Sequence, residues 1–340
     1  LGRRRVSILS DALSGLSVAM VPLLALLLGD GAINVVSLSA LAALGAVFDP
    51  AGMTARISMV PEAAEQAGWS LDHANSGYQA AFNLAYIVGP GIGGLLIATL
   101  GGVQTMWVAA LLFGAAMLAV AVIRLAGAGR PDRAKLPDRL WPGIVEGLRF
   151  VWHSRVLRTL AAIDLIVNGL YVPIESVLFP KYFTDRDEPR QLGWVLMALA
   201  AGGLVGALGY AVTSRYLARR NTLIAATLTL GATTAVIAFL PPLPLILALS
   251  LLVGLVYGPI GPIYNYVMQT RAPTQLRGRV VGVMGSLAYA AGPVGLIVAG
   301  PLADAAGLTV TFLALAVPML VVGLVSVVLP QLRELDSPAR

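Results

Sequence analysis

Leu84-Ala85-Tyr86-Ile87-Val88-Gly89-Pro90 and Leu287-Ala288-Tyr289-Ala290-Ala291-Gly292-Pro293 are two copies of one pattern, Leu-Ala-Tyr-x-x-Gly-Pro, 203 residues apart. Each copy lies inside a long apolar run. A repeat of that period in apolar helices predicts an all-α membrane protein built from two related halves, which meet around a midplane site and rock against each other. The pattern also carries its own mechanics. Glycine lets helix backbones approach closely, and proline removes one ladder hydrogen bond and bends the helix. Gly89, Gly93 and Gly94 fall on one helical face beside Pro90, and the second copy supplies Gly292, Pro293 and Gly295. Both copies are therefore expected to form kinked, tightly packed hinges between the halves.

Composition agrees with lipid as the solvent. The 340 residues are 58% hydrophobic and 12% charged, against about 25% charged in an average soluble domain. There are no cysteines, which excludes disulfides and thiolate metal sites, and the two histidines, His73 and His153, sit apart in polar stretches. No cofactor is implied. Lys135 and Lys181 follow alanine and proline, so the Gly-Lys-Ser/Thr of a phosphate-binding loop is missing and an ATP-driven pump is disfavoured. The residues form no nucleophile–base set or metal cluster that would suggest an enzyme.

A bilayer span needs about 20 mostly apolar residues. Ten stretches qualify: 6–28, 33–55, 77–100, 104–124, 160–180, 191–213, 222–240, 244–268, 279–302 and 309–330. The polar gap 125–158 separates an N-terminal bundle, 1–124, from a six-helix C-terminal bundle, 159–340. Within that linker, 140–152 is expected to be an amphipathic helix on the membrane surface, with Leu140, Ile144, Leu148 and Val151 on one face. Alternate connections hold 20 of the 23 basic residues, and the others hold only Lys181, Arg186 and Arg190. By the positive-inside rule the basic set, both ends and the linker are cytoplasmic. The net charge of +6 thus reports topology, not nucleic-acid binding. Trp107 and Trp194 fall near the outer interface and Trp152 near the inner one.

Aligning the halves on Arg4-Arg5 and Arg219-Arg220 places residue 1 opposite about residue 216 of the second half. The second half has two further spans before that point. Two helices are therefore expected to be missing from the start, leaving ten of twelve in two pseudo-symmetric bundles.

Acidic side chains inside a membrane are costly and default to functional hypotheses. Asp164, Asn168, Tyr171 and Glu175 lie on the fifth span at steps of 4, 7 and 11 residues, within one narrow face. A carboxylate there can load and release a proton. Glu175 is the first candidate for proton coupling or cation contact; Asp164 is the second, with Arg155 and Arg158 near enough in sequence to pair with it. Asp49 stands beside Pro50 on a helix expected to line a cavity. Asp11 follows Arg5 closely and is expected to pair with cytoplasmic arginines, and Asp304 is expected to be solvated. Tyr264, Asn265, Tyr266 and Gln269 give the eighth span a polar stripe, with Asn265 the candidate cavity residue. No basic residue falls mid-span, so such a cavity favours cationic or neutral lipophilic solutes over anions.

With these residues in place, the chain resembles the major facilitator superfamily. Gly2-Arg3-Arg4-Arg5, with Asp11 after it, looks like the end of that family's cytoplasmic motif between its second and third helices. Gly89-Pro90-x-x-Gly93-Gly94 resembles the antiporter motif of its fifth helix. Pro61-Glu62, Ala74-Asn75, the stretch from Arg149 to Leu160 and Arg277-Gly278-Arg279 are similar to the macrolide-efflux and multidrug-efflux branch, which includes the mycobacterial Tap-type pumps. The chain departs from the branch at Ser14, where arginine is usual, and in the absence of a basic residue in 33–55. The resemblance implies a secondary transporter of the bacterial inner membrane that exchanges protons for drugs by alternating access as a monomer. Rival expectations are export of a native metabolite or siderophore, or a non-transporting fragment.

Overall fold

The computed structural model describes residues 2–29, 31, 33–123, 125 and 140–336, and these are helical almost throughout. The basic residues at 124, 130, 133, 135, 139 and 340 lie outside them. The helices are α1 (Arg3–Leu28), α2 (Val35–Ala67), α3 (Leu71–Leu100), α4 (Gly102–Val122), α5 (Leu140–His153), α6 (Arg155–Pro173), α7 (Phe179–Thr184), α8 (Pro189–Thr213), α9 (Arg219–Ile237), α10 (Leu243–Tyr257), α11 (Ile260–Arg271), α12 (Arg277–Ala290), α13 (Gly292–Ala306) and α14 (Leu308–Val328). Each predicted span falls on helix. Among the described residues eight stretches are long and apolar enough to cross a membrane: α1, α2, α4, α6 through α7, α8, α10 with α11, α12 with α13, and α14. α3 and α9 occupy the other two predicted spans. α9 is the more polar because it opens on Arg219-Arg220, and Thr222, Thr227, Thr233 and Thr234 bond back to carbonyls of the preceding turn.

Local chemistry sets the ends. Asn34 caps α2 by accepting from the amides of Val36 and Ser37, and Ser37 returns a bond to the Asn34 amide. α2 then runs twelve residues past the end predicted at 55 and stops at Gly68, whose φ of 67° is open to glycine. Arg56 is therefore helical.

Three predicted spans are interrupted, which the hydropathy pattern did not show. Pro173 ends α6, and Ile174–Leu178 form a π-turn that leads into α7. Gly258-Pro259 separates α10 from α11. Ala291 separates α12 from α13 at the second Gly-Pro copy. The first copy lies within continuous α3.

Close packing divides the chain into two compact units: residues 1–69, 88–143 and 274–282, and residues 70–87, 144–273 and 283–340. In the first, α1 packs against both α2 and α4. A Cβ on Gly15 would stand 2.9 Å from the Phe113 Cβ, and one on Gly45 2.9 Å from the Ser17 hydroxyl. In the second, α8 packs on α10, α9 on α14 and α6 on α13. Here glycines meet carbonyls that prolines cannot satisfy. Pro259 has no N–H to return to Leu255, and a Cβ on Gly206 of α8 would collide with that Leu255 oxygen. Pro173 likewise leaves the Gly169 oxygen, which Gly295 of α13 approaches closely.

α5 forms as expected, but Val151 of its expected apolar face is buried. Val151 is 1% exposed and joins buried Gly147, while Trp141, Ile144, Leu148 and Trp152 remain exposed.

Candidate functional site

Of the four predicted residues, Asp164, Asn168 and Tyr171 lie on α6 and Glu175 in the π-turn that follows it. Asn168 donates to the Asp164 carboxylate at 2.9 Å and to the Asp164 carbonyl at 3.0 Å. The amide, not an arginine, is therefore the neighbour of Asp164. Arg158 instead donates to the Trp152 carbonyl at 3.1 Å and lies over its ring. Tyr171 lies one turn further on, near Glu175 and Tyr257. Glu175 is the second residue of the π-turn and is half-buried. π-turns inside helices recur at functional sites because they re-aim side chains.

α10 and α11 supply the rest of this region. Tyr257 is the last residue of α10, at the break before Pro259. Tyr264 is buried on α11, donates to the Leu160 carbonyl at 3.2 Å, and lies near Asp164 and Tyr257. Asp164, Tyr264, Tyr257, Tyr171 and Glu175 thus lie near one another on two broken spans. Asn265 is buried on α11. Tyr171 and Ile174 also line a small cavity with Phe179, Thr234, Ile237, Ser250, Val253 and Phe312. Discontinuous helices that place polar groups near the midplane are the usual material of transporter sites. Tyr257 escaped the sequence analysis because it follows an unbroken apolar run; only Gly258-Pro259 after it hinted at the break.

Asp49 lies in the other unit. The Ser14 hydroxyl donates to its carboxylate at 2.7 Å, and the Ser10 hydroxyl donates to the Phe48 carbonyl at 2.6 Å. Ser14, where the branch usually has arginine, therefore contacts the candidate acid Asp49. Asp11 is buried and pairs with Arg56 at 2.6 Å. Asp304 is exposed and lies 3.1 Å from Lys181.

The Gly-Arg-Arg-Arg segment divides its work. Gly2 precedes α1 as its N-cap. Arg3 pairs with Glu62 at 2.7 Å and donates to the Ser58 carbonyl, while Arg277 reaches the same Glu62 oxygen at 3.2 Å. Arg4 donates to the Val120 and Ala121 carbonyls at the end of α4, and Arg5 is exposed. In the second unit Arg219 pairs with Asp72 at 2.6 Å and lies over the Tyr266 ring, 3.8 Å from its centroid. Arg220 donates to the Val327 carbonyl at the end of α14. By partners, Arg3-Arg4 match Arg219-Arg220, which corrects the repeat alignment by one residue.

A further polar seam was not anticipated. Asn75 donates to Gln269 at 2.8 Å and Gln269 returns a bond at 3.3 Å, both side chains being buried. One and two turns along α3, Gln79 and Asn83 occupy the space over Gly261 and Gly203.

The antiporter-type glycines behave differently in the two copies. A Cβ on Gly89 or Gly93 would meet nothing within 4 Å among the described residues. Among the described residues, the tight packing expected of the first copy is therefore not made at Gly89 or Gly93. Pro90 and Gly94 are helical. At the second copy, Gly292 is buried with ordinary contact to Val172, Pro293 is exposed, and close approach is made by Gly295.

Comparison with known proteins gives this architecture a family. The model of the Major Facilitator Superfamily matches residues 1–296. The chain is 70% identical over 340 residues, all of its length and 83% of the relative's, to the multidrug efflux pump Tap of Mycolicibacterium fortuitum. It is 65% identical over 335 residues, 98% of its length and 80% of the relative's, to the multidrug efflux pump Tap of Mycobacterium tuberculosis. The human organic anion transporter MFSD10 has the same fold, with a TM-score of 0.73 at 20% identity over 96% of this chain and 77% of that one. The chain belongs to the major facilitator superfamily, as a multi-pass membrane transporter and not an enzyme.

Proposed function

We propose that this chain exports drugs and similar lipophilic small molecules, cationic or neutral, across the bacterial plasma membrane. It is a secondary active transporter working by alternating access. The observation that carries this is 70% identity, over the whole chain, to a protein named a multidrug efflux pump. In this proposal the bundles 1–124 and 159–340 rock about the repeated segments Gly89-Pro90-x-x-Gly93-Gly94 and Gly292-Pro293, with the linker and C-terminus cytoplasmic and the protein a monomer. Protons are the coupling ion. Glu175 and Asp49 are the carrying carboxylates, Asp164 with Asn168 and Tyr171 completes the α6 face, and Asn265 faces the same cavity. The support is chemical. The α6 face holds two acids and no base, so it suits a cation or a proton. A proton bound in only one state biases the balance between inward-open and outward-open forms, as substrate does.

The test is uptake of a drug panel into everted vesicles carrying the full-length protein, with and without a pH gradient. Gradient-driven uptake is expected to fall at least tenfold in Glu175→Gln, while gradient-independent counterflow is kept. If Glu175→Gln and Asp49→Asn both retain gradient-driven uptake, the coupling assignment fails. If the unaltered protein moves no compound of the panel, drug export fails.

A further inference from the structure

α5 is not used by the transport site, and its surface is divided. One side is docked: Gly147 is buried and Val151 is 1% exposed. Trp141, Ile144, Leu148 and Trp152 are 73%, 51%, 42% and 63% exposed. On a helix these four positions fall within a sector of about 80°. A helix fixed by one face thus offers a second apolar face, with an indole at each end. Trp combines an apolar ring with an N–H donor, which suits the boundary between headgroup and acyl chain.

The charges beside this face are basic. Arg149, Arg155 and Arg158 are exposed, against one exposed acid on the helix, Glu146. The Arg158 guanidinium lies 5.9 Å from the Trp152 ring centre. Residues 124–139, immediately before α5, carry five basic and two acidic side chains. Basic clusters flanking an amphipathic helix attract anionic headgroups. A four-residue stripe is small for a stable protein interface, which buries on the order of 800 Å² per partner, whereas an interfacial helix needs only its own apolar face.

We infer that α5 is an in-plane binding site for anionic phospholipid. Trp141, Ile144, Leu148 and Trp152 enter the headgroup–acyl boundary, and Arg149, Arg155 and Arg158 hold the lipid's negative charge. The inference rests on membrane residence of the chain and not on its substrate or coupling ion.

The test uses the full-length protein with every tryptophan except Trp141 and Trp152 replaced by phenylalanine. It is reconstituted in phosphatidylcholine vesicles doped with equal mole fractions of brominated phosphatidylcholine or brominated phosphatidylglycerol, and indole quenching is read. Both lipids are expected to quench, with brominated phosphatidylglycerol about fivefold more effective, the enrichment one engaged basic residue gives. Arg149→Gln with Arg155→Gln, which leaves the Arg158–Trp152 contact in place, is expected to lower that preference. Equal quenching by the two lipids overturns the anionic preference, and absence of quenching overturns lipid as the occupant. Should the double variant fail to reconstitute, the comparison of the two lipids on the parent protein still decides.

Discussion

The first Leu-Ala-Tyr-x-x-Gly-Pro lies within continuous helix α3, and its Gly89 and Gly93 have no neighbour within 4 Å of a Cβ position among the described residues. The second interrupts its helix at Ala291 and is clamped. A Cβ on Gly169 of α6 would stand 2.6 Å from the Ala291 Cβ, and Gly295 lies against the Gly169 carbonyl and Pro173. The same pattern therefore does not decide whether a helix breaks. The neighbour decides. Pro173 leaves a carbonyl without its ladder partner, and only a residue lacking a Cβ can approach it. The second copy is a built joint, and among the described residues Gly89 and Gly93 of the first have no such partner.

The largest expected effect tests that difference directly. Gly295→Leu must drive α13 away from α6, and little folded protein is expected by fluorescence-detected gel filtration of the full-length chain. Even Gly295→Ala adds a methyl where there is no room, at about 1–3 kcal/mol, read as a lower melting temperature in detergent. Gly93→Ala is expected to hold or raise the melting temperature, since alanine is favoured over glycine in a helix by about 1 kcal/mol. Equal losses at the two positions would break the comparison.

The arginine pairs repeat the lesson with charges. Arg219 and Arg3 occupy matching places, but among the described residues Asp72 has Arg219 as its ion-pair partner and the Tyr210 hydroxyl at 3.5 Å, whereas Glu62 has both Arg3 and Arg277. Arg219→Gln leaves a carboxylate whose side chain is 12% exposed without its ion-pair partner. The expected cost is about 2–3 kcal/mol. Arg3→Gln leaves Arg277 on Glu62 and is expected to cost about 1 kcal/mol or less. Adding Asp72→Asn to Arg219→Gln should recover most of the loss; if it does not, the charge is not what Arg219 answers.

Sequence reached some of these features and not others, for physical reasons. Helical periodicity alone puts 164, 168 and 171 on one helix near 175, but it did not show the π-turn that carries Glu175. Among the described residues, eight of the ten predicted spans fall on helices long and apolar enough to cross a membrane, because lipid demands long apolar runs. What escaped was set by long-range partners. Asp72 and Arg219 are 147 residues apart, and Asn75 and Gln269 are 194 apart. The α5 face was misassigned at Val151 because a docked apolar residue and a lipid-facing one look alike in composition. The tight packing expected at Gly89 and Gly93 depended on a neighbouring surface that the pattern does not contain.

The smallest expected effect concerns the same α6–α13 region at its other end. Lys181 of α7 lies 3.1 Å from Asp304 of α13 and 3.4 Å from Asp185, all three exposed enough for water and salt to compete. An exposed pair must hold two side chains in place for little Coulomb gain. Lys181→Met is therefore expected to leave the melting temperature unchanged within error at physiological salt, although it removes both contacts. Gly295→Ala, which removes no polar contact at all, should be far more damaging. If the order is reversed, and especially if the Lys181→Met loss grows as salt is lowered, α13 is held by its outer charges and not by the glycine–carbonyl joint.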